Sequence, residues 1–220
     1  MTDTLDDTGI ARLAALPTAA VSDALDRLGL DGQLEGITAL QAGQRICGPA
    51  FTVSYEPITD EPGTVGDFLD DVPAGAVVVI DNAGRTDCTV WGGIMTGAAR
   101  ARGVGATVVH GACRDVSVAL GRGYPIWSTG HYMRTGKGRV RMVGTGRELT
   151  IGCSRVAPGD LICGDADGVL SVPAGRARAV LELAEEVEAT ESRIVDALQA
   201  GSSLREARSE LGYHDLRARR

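Results

Sequence analysis

Lysine is nearly absent: Lys137 is the only one in 220 residues. It lies in Thr135-Gly136-Lys137-Gly138, a glycine-flanked segment that reads as an exposed turn between strands. Enzymes that form an imine need a desolvated lysine in the pocket, so Schiff-base chemistry is not expected. Cysteine is scarce as well, with five residues (47, 88, 113, 153 and 163), mostly in apolar strand-like surroundings and without a C-x-x-C pair. Buried reduced thiols in a cytoplasmic protein are expected, and a zinc site is not. No apolar run approaches the roughly 20 residues of a membrane span; the stretch from Ala74 to Ile80 is broken by Gly75. The segment from Met1 to Asp7 is polar and acidic, so no secretory signal is read and no membrane partner is expected. A Walker loop, a G-x-S-x-G elbow and a methyltransferase-type glycine loop are missing too, which removes the nucleotide, hydrolase and methyl-transfer readings. The net charge of −7 argues against a nucleic-acid surface, and Arg217, Arg219 and Arg220 read as a solvated terminus.

What is present is an alternation of helix and strand patterns. Residues 8–15 and 19–28 carry apolar side chains at helical spacing, with Thr18 or Ser22 as the cap of the second helix. Ile46 to Tyr55 reads as a strand with Pro49 at a bulge or edge. Residues 63–71 read as a short helix carrying Asp67, Asp70 and Asp71, acids that are expected to be solvated. Ala76 to Ile80 is apolar on both faces, as a parallel strand between helices should be, and it runs into the polar loop 81–87. The next unit repeats the plan with a strand at 106–110 and a polar loop at 111–115. Two βα units thus bring their loops to one sheet edge, where open α/β sheets bind ligands.

A short strand is expected at 125–128. From Arg139 the pattern changes to short strands at 140–143, 149–151, 161–163 and 169–172, a β-rich layer punctuated by glycine turns. Asp165-Ala166-Asp167-Gly168 lacks the remaining ligands of an EF-hand loop and reads as a plain turn. Arg176 to Ala200 is the longest helix, and Ser203 to Leu211 forms a last short one opening on a Ser203/Glu206 capping box. The whole is expected to be one domain with a helical tail.

The candidate site runs from Val90 to Val116. Gly92 and Gly93 let the backbone approach a ligand, and the helix after them points its first free amides there. Arg114 adds a planar donor fork suited to a carboxylate, and Asp115 a hard oxygen ligand suited to Mg²⁺ or Mn²⁺. An anionic small molecule held with a metal is the expected occupant. His110, inside an apolar strand, reads as a core or supporting residue; His131 is close enough in sequence to reach the pocket. Asp81 and Asp87 read as loop-stabilising, and Cys113 as packing.

Seven blocks in order carry a family resemblance: Pro17-Thr18-Ala19-Ala20-Val21-Ser22-Asp23-Ala24-Leu25, Gly48-Pro49-Ala50-Phe51-Thr52-Val53, Trp91-Gly92-Gly93, Arg102-Gly103-Val104-Gly105, Gly111-Ala112-Cys113-Arg114-Asp115-Val116, Pro158-Gly159-Asp160 and Gly164-Asp165-Ala166-Asp167-Gly168-Val169. Together they resemble the family shared by the regulator of ribonuclease activity A and the 4-hydroxy-4-methyl-2-oxoglutarate (4-carboxy-4-hydroxy-2-oxoadipate) aldolases. The resemblance implies an α/β fold of the swivelling β/β/α type, with a central mostly parallel sheet, a β-rich layer and a C-terminal helical tail. It implies N-terminal helices in 1–30, the core in 45–173 and C-terminal helices in 174–214.

It also implies a homotrimer or homohexamer with active sites between subunits. In the aldolase branch it implies a divalent cation, Mg²⁺ or Mn²⁺, and a pyruvate-type 2-oxo acid substrate. The reactions implied are retro-aldol cleavage, and oxaloacetate decarboxylation through the same enolate. Arg114 then matches the substrate-binding and catalytic cation, and Asp115 the catalytic metal ligand. Gly92, Gly93, Ile94 and Met95 match the loop that holds the substrate carboxylate. Glu191, or alternatively Glu188, matches a glutamate that approaches the metal from the neighbouring subunit. The branch's motif opens with an aspartate twenty intervening residues before Arg-Asp; that position is 93, and here it is glycine. The other branch implies a non-catalytic protein that binds a ribonuclease through an acidic ring surface.

Overall fold

The computed structural model describes residues 4–59 and 63–213, so the basic cluster at 217–220 and residue 214 of the expected helical tail lie outside the described residues. In chain order the elements are α1 (Asp7–Ala15), α2 (Thr18–Arg27), β1 (Thr38–Ala39), β2 (Ile46–Pro57), a 3-10 turn (Phe68–Asp71), β3 (Val77–Asp81), β4 (Thr89–Trp91) and α3 (Gly93–Ala101). There follow β5 (Ala106–Cys113), α4 (Val116–Gly121), β6 (Ile126–His131), β7 (Val140–Thr145), β8 (Leu149–Ile151), β9 (Ser154–Val156), β10 (Leu161–Gly164), β11 (Val169–Val172), α5 (Ala177–Gln199) and α6 (Leu204–Glu210).

The valine-rich β3 is buried along its first four residues and sits between β2 and β5. Stiff β-branched side chains on both faces suit a strand covered on both sides. β2, β3, β5 and β6 run parallel, with β4 added beside the end of β5 and β1 closing the far edge antiparallel to β6. β2 joins two halves of the fold. Its first residues, Ile46 to Pro49, lie antiparallel to β10, whereas Ala50 to Ser54 run parallel to β3. Pro49 therefore falls where the strand changes partner, a place that tolerates a residue without an N–H. β10 and β11 continue the sheet through β2, so much of the expected β-rich layer is continuous with the parallel block; β8 and β9 form a separate hairpin.

Three cores follow from this order. One face of the sheet (Val78, Ile80, Val109, Cys113) packs with Trp91, Ala99, Ala119 and Tyr124, sealing α3 and α4 against it. The other face (Val77, Val79, Val108) packs with Trp127, Ile151, Val156 and Ile162 under the hairpin. The third joins Leu13, Val21 and Leu25 of the N-terminal helices to Leu170, Val172, Val180 and Leu181. Helix α5 buries Ala177, Val180, Leu181, Ala184, Val187, Thr190 and Ile194, a three-and-four spacing that makes one stripe. Leu198, one turn beyond Ile194, is exposed.

Two local expectations change. Residues 63–71 are helical only over the 3-10 turn: Gly66 has φ +73, and Met142 of β7 donates to the Thr64 carbonyl at 2.9 Å, so the segment lies against β7 as a strap. Neither Thr18 nor Ser22 caps α2 from within: Pro17 occupies the cap position and Asp165 supplies the acceptor instead. The Ser203/Glu206 capping box is present as expected. Among the described residues no helix is long and apolar enough to cross a membrane.

Candidate active site

The site is assembled by two neighbouring strand ends. β4 leads through Gly92, whose backbone is extended, straight into the first turn of α3. β5 ends beside it at Cys113, and the Arg114 amide donates to the Trp91 carbonyl at 2.9 Å, tying the two loops together. Trp91 is anchored in turn, since its indole Nε1 donates to Thr96 Oγ1 at 3.0 Å and its ring stacks on Tyr124. A rigid aromatic plate thus fixes where α3 begins.

Asp115 caps that beginning. The Gly93 amide, first in α3, donates to Asp115 Oδ2 at 2.8 Å, while Asp115 itself holds a left-handed backbone at φ 57 and ψ 39. Aspartate visits that region more readily than most residues, at a cost that surrounding structure must offset. Gly92 and Gly93 keep this approach close: a Cβ at 92 would crowd the pair, lying 3.0 Å from Asp115 Oδ2 and 3.1 Å from Arg114 Nε. At 93 the corresponding contact to Asp115 Oδ2 would be 3.3 Å.

The resulting cleft has a volume of about 260 Å³, and Gly92, Gly93, Ile94, Met95, Arg114 and Asp115 all line it. One expectation is refined here. The Gly93 amide is committed to Asp115, so the donors of α3 without a hydrogen bond among the described residues are those of Ile94 and Met95. Arg114 Nε lies 3.7 Å from Asp115 Oδ2, too far for a hydrogen bond, and the guanidinium makes none among the described residues. With Arg114 and Asp115 side chains 38% and 45% exposed, both groups face the cleft with bonding capacity unspent.

Sequence reasoning missed six lining residues, Val65, Gly66, Asp67, Thr89, Thr135 and Lys137. Lys137, expected on an exposed turn between strands, is on such a turn, and the turn forms a wall of this cleft. Its side chain is exposed, so it lacks the desolvation an imine-forming lysine needs. The one available signal was that the chain keeps a single lysine.

The other candidates lie elsewhere or are occupied. Asp81 Oδ1 lies 2.7 Å from His110 Nδ1 and accepts from the Ala83 amide at 2.8 Å. Asp87 is held below the usual carboxylate range by the Arg85 fork, whose nitrogens reach it at 3.0 and 2.9 Å. His131 is exposed at the end of β6 and does not line the cleft. Burial pushes the Cys113 thiol up, against a smaller opposing contact from Ser128, so it packs rather than reacts. Glu188 and Glu191 are on α5, which packs against α1 and α2 and not against this cleft. A larger concavity of about 360 Å³ at the start of α2 carries no comparable chemistry: Gln33 Nε2 there donates to Ser22 Oγ at 2.9 Å.

Among the described residues no three His, Cys, Asp or Glu side chains gather as a metal cage. The donor set fits a hard ion of the Mg²⁺ kind, which takes one or two carboxylates with substrate oxygens and waters. Asp115 Oδ1, without a partner among the described residues, is the oxygen suited to it.

Fold and cleft together define a class: a βα-edge pocket at the strand ends of a mostly parallel sheet, the place where open α/β sheets bind ligands. The sequence profile of the RraA-like family, described as Aldolase/RraA, matches residues 18–171, and the chain belongs to that family. It is 33% identical over 186 residues to a protein of Halalkalibacterium halodurans named for 4-hydroxy-4-methyl-2-oxoglutarate aldolase, covering 82% of this chain and 83% of that one. It is 40% identical over 200 residues to protein DlpA of Legionella pneumophila, covering 89% of this chain but 32% of that protein, so the chain spans about a third of that relative's length. The crystal structure of an unusual member of the RNase ES inhibitor RraA protein family from Streptomyces coelicolor superposes with a TM-score of 0.79 at 26% identity, covering 86% of this chain and 96% of that one. The expected α/β fold is thereby shared with a solved member of the family.

Proposed function

We propose that the chain is a divalent-metal-dependent lyase acting on pyruvate-derived 2-oxo acids. Its reactions would be retro-aldol cleavage of 4-hydroxy-4-methyl-2-oxoglutarate-type substrates and oxaloacetate decarboxylation. The observation that carries this reading is the Arg114 guanidinium, free of hydrogen bonds among the described residues, in one cleft with the first amides of α3 and a left-handed Asp115. Asp115, with Glu191 from a neighbouring subunit of a trimer or hexamer, would hold Mg²⁺ or Mn²⁺. The bound ion supplies Lewis-acid polarisation of the 2-oxo group.

The chain's own residues then have definite tasks. The Ile94 and Met95 amides receive the C1 carboxylate at the positive end of α3. The C4 hydroxyl loses its proton, the C3–C4 bonding pair moves to give an enolate at the C2 oxygen, and C4 becomes the carbonyl of the departing oxo acid. With Asp115 assigned to the Gly93 amide and the ion, Asp67, the other carboxylate lining the cleft, is the residue this reading assigns to take the proton, directly or through a water. Arg114 stabilises the developing enolate charge, an interaction worth most in a site that excludes water. Returning a proton to C3 releases pyruvate.

Retro-aldol and oxaloacetate assays test this directly: turnover that EDTA abolishes and Mg²⁺ restores is expected. No turnover of either substrate under any metal condition would remove the enzyme reading. A second reading, a non-catalytic protein that binds a ribonuclease, is favoured by Gly93 at the place of the motif aspartate and by the net charge of −7. Inhibition of a ribonuclease by the catalytically silent protein would establish it.

A further inference from the structure

The segment carrying Lys137 is fastened to the same strand that starts α3. Thr89, in β4, donates through its amide to the Arg134 carbonyl at 3.0 Å and accepts from the Gly136 amide at 2.9 Å. Its hydroxyl also donates to Arg134 O at 3.0 Å. Gly136 is demanded by this contact, because a Cβ there would lie 2.6 Å from the Thr89 carbonyl oxygen. The turn is closed by Thr135, whose Oγ1 accepts from the Lys137 amide at 3.2 Å. β4 therefore positions two walls of the cleft at once, the amide wall beginning at Gly92 and the wall that carries Lys137.

Among the described residues two cations line this cleft, Arg114 and Lys137. The Lys137 ammonium makes no hydrogen bond or ion pair among the described residues, although Asp67 lines the same cleft. A substrate with one carboxylate is already provided for by α3 and Arg114. A second carboxylate brought into the cleft would lose hydration and needs its own positive partner. A compact ammonium on a flexible stem suits a group whose distance from the reacting centre varies between substrates.

We propose that Lys137 is the specificity-determining cation of the cleft: its ammonium takes the distal carboxylate of a dicarboxylic 2-oxo acid whose reacting end lies at Arg114 and the start of α3. This rests on the 2-oxo acid reading above. Lys137 takes no part in bond cleavage; it selects dicarboxylates over monocarboxylates.

The test compares wild type, Lys137→Met and Lys137→Arg on 4-hydroxy-4-methyl-2-oxoglutarate and on the monocarboxylate 4-hydroxy-2-oxopentanoate, with Mg²⁺. In Lys137→Met, kcat/KM for the dicarboxylate should fall about 10- to 100-fold, mainly through KM, as expected for losing one charge-assisted contact. The monocarboxylate value should change less than about twofold, and Lys137→Arg should restore most of the dicarboxylate loss. Equal losses on both substrates, or none on either, would overturn the assignment. Calorimetry separates it from the retro-aldol reading. If wild type turns over neither aldol, the lyase reading fails, and binding of 2-oxoglutarate against 2-oxobutyrate decides alone. A preference of about tenfold or more that disappears in Lys137→Met supports Lys137 as the selector; equal or undetectable binding overturns it.

Discussion

Asp115 and Asp165 begin as the same device and end as opposites. Each lies in the loop after a strand, and each accepts from the first amide of a helix elsewhere in the chain: Gly93 of α3 for one, Thr18 of α2 for the other. Asp165 is then saturated. Its oxygens also accept from Thr18 Oγ1 at 2.6 Å and the Asp167 amide at 3.0 Å, its carbonyl accepts from Trp127 Nε1 at 2.9 Å, and it is buried. Asp115 keeps one oxygen without a partner among the described residues, in a left-handed backbone at the edge of a cleft. The pair differs in the acceptor capacity left over after the helix has been capped, and the role proposed for Asp115 draws on that remainder.

The largest effect should come from breaking the saturated half. Asp165→Ala leaves the Thr18 amide and hydroxyl and the Asp167 amide without their acceptor, and should cost about 3 kcal/mol. For a domain of this size that corresponds to a fall in Tm of roughly 6–12 °C. Activity per folded molecule should stay within about threefold, because no cleft residue is touched. An unchanged Tm would place Asp165 and Asp115 in one class and dissolve the contrast.

Arg114→Lys should produce the opposite pattern. Charge is kept but the fork is lost, so kcat/KM for the 2-oxo acid should fall about 100-fold, near 2.7 kcal/mol of transition-state stabilisation. Tm should move by no more than about 2 °C, since the guanidinium holds nothing else in place. Near-normal kinetics in this variant would mean that the open half of the comparison is idle.

Acid offers a milder probe. Burial raises the Asp165 carboxyl, but the Thr18 hydroxyl, the Thr18 amide and the Asp167 amide outweigh it, so the folded value lies below the ordinary one. A depressed folded value means that Asp165 contributes stability fully present above the unfolded value, near pH 3.9, and lost as pH falls through the lower folded value. Denaturant titrations at decreasing pH should therefore show wild type losing stability faster than Asp165→Asn below about pH 4. Parallel curves for the two proteins would show that the network does not distinguish the ionised form.

Much of this contrast was half legible in the sequence. The alternation of apolar runs with polar loops located β3, β5 and the sheet edge that carries the cleft, because burial on both faces leaves a strong pattern in the chain. Gly92-Gly93 and Arg114-Asp115 stood out as chemistry next to a helix start, and the fold brings them together. Asp165 read as a plain turn because its partners, Thr18 and Trp127, are 147 and 38 residues away. Lys137 read as a bystander for the same reason, its wall being held to β4 by Thr89. Local patterns report local structure; long-range capping and clefts shared by distant loops leave no periodic trace.

The smallest effect expected is also the one that turns the open half toward the other extreme. Gly93→Asp would set a second carboxylate at the first turn of α3, where the helix favours negative charge. Its Cβ would lie 3.3 Å from Asp115 Oδ2 and 3.4 Å from Val118 Cγ1, so the loop must yield by a few tenths of an ångström, which an exposed turn allows. Without a cation the two like charges repel and Tm should drop slightly; with Mg²⁺ they share it, and affinity by calorimetry should rise about tenfold. Mg²⁺ should then stabilise the variant more than wild type, because a ligand that prefers the folded state adds stability in proportion to the logarithm of its saturation. An unaltered Mg²⁺ affinity would mean that a side chain at 93 and Asp115 Oδ1 do not face one ion, and that the spare acceptor of Asp115 serves the substrate rather than a metal.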